Sequence, residues 1–393
     1  MNKLINKKTL LKKKLKIIRV TTKPEALQVL LKGQLKFINN FHNVIGLSSP
    51  GKELHNVKIK EGIRVIPLKM TRKITPLKDM LSLIEMIRIF KKEKPDIVHS
   101  HTPKAGIVSM IASVICGVPN RFHTVAGLPL MEKFGLKKQL LLFVEWLTYK
   151  CASKVYVNSN GLKKFILKNI SIPRKKISVI GFGSSNGVDT EFFTKNDKVN
   201  ISSHVFQKKF NLKNKFTFIF IGRIVKDKGI EELLKAFVKL NNKLNNTRLI
   251  LLGRQEKDLD PITDDTKNIM SLNKNIINLG YKSDIRTFLA ASNCLVLPSY
   301  REGFPNVVLQ AGSMKIPSIV TNINGCNEII KNKINGLIVK PKNINSLFLA
   351  MKKIATDRKL CKSLKSSSRR NIISKFSKDK FFEKVLNIYS NLN

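Results

Sequence analysis

Two cations five positions apart, Arg223 and Lys228, stand in the segment Ile221-Gly222-Arg223-Ile224-Val225-Lys226-Asp227-Lys228-Gly229. An apolar run precedes it, and a helical pattern of Ile230, Leu233, Leu234 and Phe237 follows. A guanidinium offers a fixed fork of donors and an ammonium a mobile point charge. At the carboxyl end of a strand, beside a helix amino end that favours phosphate, the two are placed to bracket a diphosphate. There they would stabilise it as a leaving group whose negative charge grows. The plain alternative is two solvated surface cations in a chain that carries 73 Lys plus Arg.

A second strand-loop-helix segment, Leu297-Pro298-Ser299-Tyr300-Arg301-Glu302-Gly303-Phe304-Pro305-Asn306-Val307-Val308-Leu309-Gln310, has a complementary chemistry. Gly303 permits close approach of backbone to a ligand, and Pro305 suits the first helical position. Amides of the first turn are then free for phosphate. Glu302 can accept hydrogen bonds from sugar hydroxyls, and Gln310, about two turns along the helix, can reach a ribose. Otherwise Glu302 merely complements the helix dipole.

Together these segments resemble the donor site of retaining glycosyltransferase family four, which has the GT-B fold, and the resemblance covers nearly the whole chain. It implies that Arg223 and Lys228 match the pair holding the donor diphosphate. Glu302 matches the first member of a Glu-x7-Glu pattern that binds donor sugar and ribose, and Gln310 replaces the second. Gln still accepts and donates hydrogen bonds, so ribose contact is expected to persist. Pro305 replaces a commoner glycine and removes one amide from the phosphate cradle. Asn186-Gly187-Val188-Asp189 matches the family's hinge, and Gly325, Glu328 and Asn335-Gly336-Leu337 match its C-terminal domain. His123 stands where the family places a histidine facing the donor sugar.

The implied catalytic set is thus Arg223, Lys228, Glu302 and His123, and the donor contacts are Gly222, Gly303, Phe304, Asn306, Val307, Gln310 and Tyr281. For the acceptor, Thr21 and Thr22 after the first strand, and His101 and Lys104 in the VHSHTPKAG loop with His99, are candidates; plain loop capping is the open alternative. The implied reaction is retaining transfer of a hexose or N-acetylhexosamine from a nucleotide-diphosphate sugar, UDP-linked by expectation. The acceptor would be a saccharide, free or linked to polyprenyl diphosphate, in capsule, O-antigen or lipid-linked glycan synthesis. No cofactor and no metal are expected. The rival readings are a nucleotide-sugar epimerase of related fold, a non-catalytic glycosyltransferase-like subunit and a nucleic-acid-binding protein.

These residues need two sheets to position them. Strands are expected at Lys16–Val20, 43–47, 64–66, Ile97–Ser100, 121–125, Lys154–Val157 and 177–180. A second series is expected at Phe216–Ile221, 248–252, 276–279, 294–298, Ser318–Thr321 and Gly336–Val339. Helical patterns separate them, as in a parallel sheet wrapped by helices. The expected fold is α/β, with two doubly wound Rossmann-like domains facing across a cleft. Residues 1–186 form the acceptor domain, 187–376 the nucleotide-sugar domain, and 377–393 a helix returning to the first. Gly181–Asp189, rich in Gly, Ser and Asn, is the expected hinge.

Bulk properties set the remaining bounds. At 393 residues the chain exceeds what one core usually supports. Of its formal charge of +47, +27 falls in residues 1–185 and +20 in 186–393. The excess is mostly Lys spread along the chain, in part the mark of an AT-rich coding sequence, without the aromatic-flanked module of a nucleic-acid binder. No nucleic acid is therefore expected. The more basic half is expected to face an anionic membrane surface from the cytoplasm. Five cysteines without a C-x-x-C pair indicate neither a disulfide framework nor zinc. Met1–Lys16 reads as a basic arm rather than a signal peptide, and no apolar run reaches the ~18 residues of a membrane span. Asp258-Leu259-Asp260 is similar to a metal-binding D-x-D but is expected away from the phosphate cradle. No G-x-G-x-x-G follows the first strand, so no nicotinamide cofactor is supported. The apolar run 136–149, with the only Trp and nearby Lys133, Lys137 and Lys138, reads as core, with membrane docking as the alternative.

Overall fold

A computed structural model describes residues 13–73, 75–128, 135–256 and 260–392, without the side chain of Lys137. Most of the basic arm, Lys133, and the Asp258-Leu259 pair of the D-x-D lie outside the described residues.

The chain divides into two compact units. One runs to Asn186 and takes in the chain from Asp379 onward, and the other is Gly187–Lys378. In the first, seven parallel strands, β1 (Lys16–Val20), β2 (Asn43–Ser48), β3 (Arg64–Pro67), β4 (Ile97–Ser100), β5 (Asn120–Val125), β6 (Lys154–Val157) and β7 (Ile177–Val179), stand in the order β3-β2-β1-β4-β5-β6-β7. In the second, β8 (Phe216–Ile221), β9 (Thr247–Leu252), β10 (Ile276–Asn278), β11 (Cys294–Leu297), β12 (Ser318–Thr321) and β13 (Gly336–Val339) stand in the order β10-β9-β8-β11-β12-β13. Each sheet reverses its strand order once, between β1 and β4 and between β8 and β11. That reversal is where open α/β sheets bind ligands.

The strands are continuous apolar runs because both faces are covered. In β1 the alternation is direct: Ile18 and Val20 enter one core, and Ile17 enters the other. The helix Ile230–Asn241 buries Ile230, Leu233, Leu234, Phe237 and Leu240, the stripe of a 3.6-residue period, against the second sheet. The terminal helix Lys378–Ser390 sends Phe381, Phe382, Val385 and Tyr389 into the first unit's core with Ile17, Leu27 and Leu35.

The two stretches that connect the units lie side by side within the second. The Val188 amide donates to Phe376 O and the Lys378 amide to Val188 O, both at 2.9 Å, and Lys378 Nζ reaches Asp189 Oδ2 at 2.5 Å.

The helix Gly135–Cys151 is split between the two readings of that segment. Glu145, Thr148 and Tyr149 are buried, whereas Leu136, Leu140 and Phe143 are exposed. Among the described residues, no helix is long and apolar enough to cross a membrane.

Candidate active site

At the β8/β11 reversal the two motif loops are tied together. The loop after β8 ends in a single tight turn, Lys226–Lys228, and Gly229 follows with φ +68 before the helix Ile230–Asn241. A side chain at Gly229 would meet Pro298 O at 2.2 Å, so only glycine lets the β8 loop lie against the end of β11. Across that contact, the Tyr300 amide donates to Asp227 O at 2.8 Å, and Arg301 pairs with Asp227 Oδ2 at 3.0 Å. Lys228 Nζ donates to Glu302 Oε1 at 2.6 Å, and Ser299 Oγ donates to the same oxygen at 2.9 Å. Tyr300 Oη anchors the second loop on Glu232 at 2.6 Å. Burial raises the Asp227 carboxyl, an effect that neighbouring Lys228 and Arg223 oppose.

Arg223 stands apart from Lys228's carboxylate and pairs with Glu256 at 3.0 Å, its side chain nearly half exposed. It lines a cavity of about 580 Å³ within the second unit. The walls come from the ends of β8 (Gly222, Arg223) and β9 (Gly253, Arg254), from Tyr281–Ile285 beyond β10, from Phe192 and Phe193, and from Gln310. The Arg254 guanidinium lies 4.7 Å from the centre of the Tyr281 ring. The cavity therefore gathers Gly222, Arg223, Gln310 and Tyr281 from the sequence reading. It adds Arg254, Glu256, Phe192 and Phe193, which that reading missed. Arg254 follows the end of a strand, as Arg223 does, so the strand-end rule applied to β9 finds it.

The second segment's helix runs over Asn306–Ser313. Pro305 sits at its cap with ψ 106, one place before the first helical position the sequence suggests. The first-turn amides of Asn306 and Val307 accordingly have no carbonyl within the helix to bind. Phe304 is a core residue packed 5.6 Å from Phe376, and only its backbone remains for a ligand. Asn324 holds the loop from below, donating to Glu302 O at 3.2 Å.

Asp260 reverses an expectation. Its carboxylate accepts from the Asp227 amide at 2.6 Å and its carbonyl from the Lys226 amide at 3.0 Å, so it belongs to the wall of the cation-bearing loop rather than to a distant acidic loop.

In the first unit, β5 places His123 next to Ser100 at the end of β4, with Nδ1 and the Ser100 hydroxyl 2.8 Å apart. The ring is buried, and burial depresses its pKa to about 4, so it is neutral at pH 7. At the β1/β4 reversal, Thr22 Oγ1 and Thr102 Oγ1 are 2.7 Å apart, Thr21 Oγ1 donates to Lys23 O at 2.9 Å, and Lys104 pairs with Asp79. His101 Nε2 accepts from the buried Arg19 at 3.1 Å. These four acceptor candidates stand together, each engaged in a bond within the unit.

Residues 203–371 match a family model described as Glycosyl transferases group 1, and residues 25–159 one described as Glycosyl transferase 4-like. The chain is 34% identical over 364 residues to the capsular polysaccharide biosynthesis glycosyltransferase CapM of Staphylococcus aureus, covering 92% of this chain and 93% of that protein. It is 32% identical over 327 residues to the UDP-Gal:alpha-D-GlcNAc-diphosphoundecaprenol alpha-1,3-galactosyltransferase of Escherichia coli, covering 81% of each. Among solved structures, Anabaena HepE in complex with UDP and glucose aligns with a TM-score of 0.80 at 17% identity, over 96% of this chain and 100% of that one. A glycosyltransferase from Rickettsia africae ESF-5 aligns with a TM-score of 0.79 at 24% identity, over 96% and 98%. At those identities the structural likeness speaks for the fold, two Rossmann-like α/β units of the GT-B class.

Proposed function

The chain belongs to the group 1 glycosyl transferases, and on that footing we propose that it moves a hexose or N-acetylhexosamine, with retention and without a metal, from a UDP-linked donor to a saccharide carried on polyprenyl diphosphate. The carrying observation is the arrangement at the β8/β11 reversal: Arg223 on the wall of a cavity of about 580 Å³, and Lys228, from the same loop after β8, hydrogen-bonded to Glu302 of the loop after β11. In this reading the nucleotide enters the cavity, its base against the Tyr281–Arg254 wall and its ribose toward Gln310. The diphosphate takes Arg223, Lys228 and the amides of Asn306 and Val307. Glu302, relieved of Lys228, accepts from the donor sugar's hydroxyls.

Two fixed cations supply the charge that stabilises the departing nucleotide diphosphate, the service a metal ion performs elsewhere. Neutral His123 donates one hydrogen bond to orient the sugar. Residues up to 186 carry the acceptor, and movement about Gly187 excludes water at the moment of transfer. The acceptor class follows the Escherichia coli relative, whose name specifies a diphosphoundecaprenol-linked GlcNAc. Such an acceptor, with +27 in residues 1–185, fits a peripheral position on the cytoplasmic face of the membrane.

A thermal-shift screen against nucleotide sugars, followed by transfer with the stabilising donor, tests the reading. One UDP-sugar should raise the melting temperature and pass its sugar to a lipid-linked saccharide with its anomeric configuration kept and with EDTA present. No stabilisation by any nucleotide sugar would overturn it.

A further inference from the structure

Arg19, in β1, is 1% exposed, and among the described residues no carboxylate pairs with it. Burial lowers the pKa of its guanidinium, which starts so far above neutrality that the charge persists at pH 7. Its partners are neutral. Nη2 donates to Gln34 Oε1 at 2.7 Å, and Nε and Nη2 converge on His101 Nε2 at 3.1 and 2.9 Å. Nη1 is buried without a partner among the described residues. A buried cation in such company is a cost to the fold, and an apolar side chain of similar volume ordinarily serves stability as well or better. What Arg19 brings to the first unit is therefore its donors.

Those donors decide the chemistry of His101. A guanidinium only donates, so the ring nitrogen facing it carries a lone pair, and the proton of the neutral imidazole sits on Nδ1. Protonating both nitrogens would set N–H against N–H. Burial first, and then His99, Arg19 and His123 nearby, hold the ring well below the usual imidazole range. Its orientation is fixed from two sides. Gln34, which holds the Arg19 fork, donates to Asn186 Oδ1 at 3.0 Å, and Asn186 donates to Lys32 O at 2.9 Å. His99 stacks on His101 with ring centres 4.3 Å apart, and is itself held by Tyr389 Oη at 2.5 Å and Thr124 Oγ1 at 2.7 Å. The His101 amide donates to Val20 O at 3.0 Å, which seats the residue on the β1/β4 reversal beside Thr22 and Thr102. Among the described residues, His101 Nδ1 has no partner.

We propose that Arg19 is a positioning residue, which holds His101 as a fixed Nδ1–H donor at the β1/β4 reversal for an oxygen of the acceptor saccharide. The inference rests on the reading above that residues up to 186 carry the acceptor. In this role His101 neither takes nor gives up a proton during transfer, because Nε2 is occupied by the guanidinium and Nδ1 already carries its hydrogen. It selects an acceptor that presents a lone pair at that place. His99, with both ring nitrogens engaged, supports the His101 ring and offers no second donor.

Nitrogen NMR of the full chain with labelled histidine, and His101→Gln to identify the resonance, reads the tautomer directly. In the parent at pH 7, His101 should show a protonated Nδ1 and a bare Nε2. Arg19→Met, an apolar side chain of similar length, should populate the Nε2–H form while the melting temperature stays level or rises. Transfer is then measured with the stabilising UDP-sugar and GlcNAc diphosphate carried on a short lipid. Arg19→Met should raise the acceptor KM by about tenfold and leave UDP affinity unchanged. Arg19→Met combined with His101→Gln should be no worse than His101→Gln alone, because Arg19 acts through that ring. A proton on Nε2 in the parent would overturn the proposal, whatever the variants do. So would Arg19→Met with the parent's acceptor KM, a double variant whose losses multiply, or a lowered melting temperature with the parent's tautomer kept, which would mark Arg19 as structural. If the parent chain transfers no sugar, the proposed reaction fails, and the tautomer still decides for or against the hold of Arg19 on His101.

Discussion

Lys228 Nζ and Glu302 Oε1 lie 2.6 Å apart, although 74 residues separate them in the chain. The proposed roles give the cation to a diphosphate and the carboxylate to a sugar, yet in this structure each satisfies the other. The pair keeps two charges from being left largely buried and unmatched, at 16% and 15% side-chain exposure. A donor must therefore exchange one ion pair for two new sets of contacts.

That exchange separates the two residues' roles. In Glu302→Gln the ammonium no longer has an anion to leave, so affinity for UDP should hold or rise. Transfer should fall by roughly a hundredfold, because the sugar loses a charged acceptor for its hydroxyls. Calorimetry with UDP and a transfer assay read the two effects separately. Lost UDP affinity with normal transfer would contradict the assignment.

Arg223 should behave as a functional rather than a structural cation. Its side chain is nearly half exposed and, among the described residues, its ion pair is with Glu256, the kind of contact worth about 1 kcal/mol or less. Arg223→Ala should leave the melting temperature close to the parent value while lowering transfer by about a hundredfold or more. A large drop in melting temperature would mark it as structural.

Glu145 has a pH signature. Burial pushes its carboxyl up to about 7, against a smaller opposing effect of the neighbouring Tyr149 hydroxyl. In the unfolded chain the group ionises near 4.5, so its contribution to stability is fully present below that pH and is lost as pH rises through 7. Glu145→Gln removes this penalty. It should raise stability at pH 8 by up to about 3 kcal/mol and have little effect at pH 4. Urea denaturation at the two pH values measures the difference.

Gly106 controls the seat of His123. A Cβ there would come within 2.6 Å of the imidazole Cε1 and 3.0 Å of Nδ1. Alanine ordinarily favours a helix over glycine by up to about 1 kcal/mol, but overpacking a closed interior costs about 1–3 kcal/mol. Gly106→Ala should therefore destabilise the protein and displace the ring from Ser100. Equilibrium unfolding gives the sign. A gain in stability would show that the ring has room to move.

Much of the architecture was legible in the chain. Lys16–Val20, Ile97–Ser100, Lys154–Val157, Phe216–Ile221, Ser318–Thr321 and Gly336–Val339 are strands with the bounds the sequence suggests, and each of the other strands differs by one residue at one end. Buried parallel strands announce themselves because both faces must be apolar, and Gly or polar residues must follow where the chain turns. Pro305 was off by one place because a proline's φ suits a cap as well as a first turn.

The amino-acid order by itself determined two parallel α/β sheets, the loops at their carboxyl ends, and the cation and carboxylate types those loops carry. These follow from local periodicity and backbone preference. Only the tertiary structure decided which of those side chains meet. It brought Asp260 against Asp227, lined one cavity with Arg223, Arg254, Tyr281 and Gln310, and set Arg19 against His101. The reason is physical: such meetings depend on strand order and loop closure across dozens of residues, to which no local pattern in the chain responds.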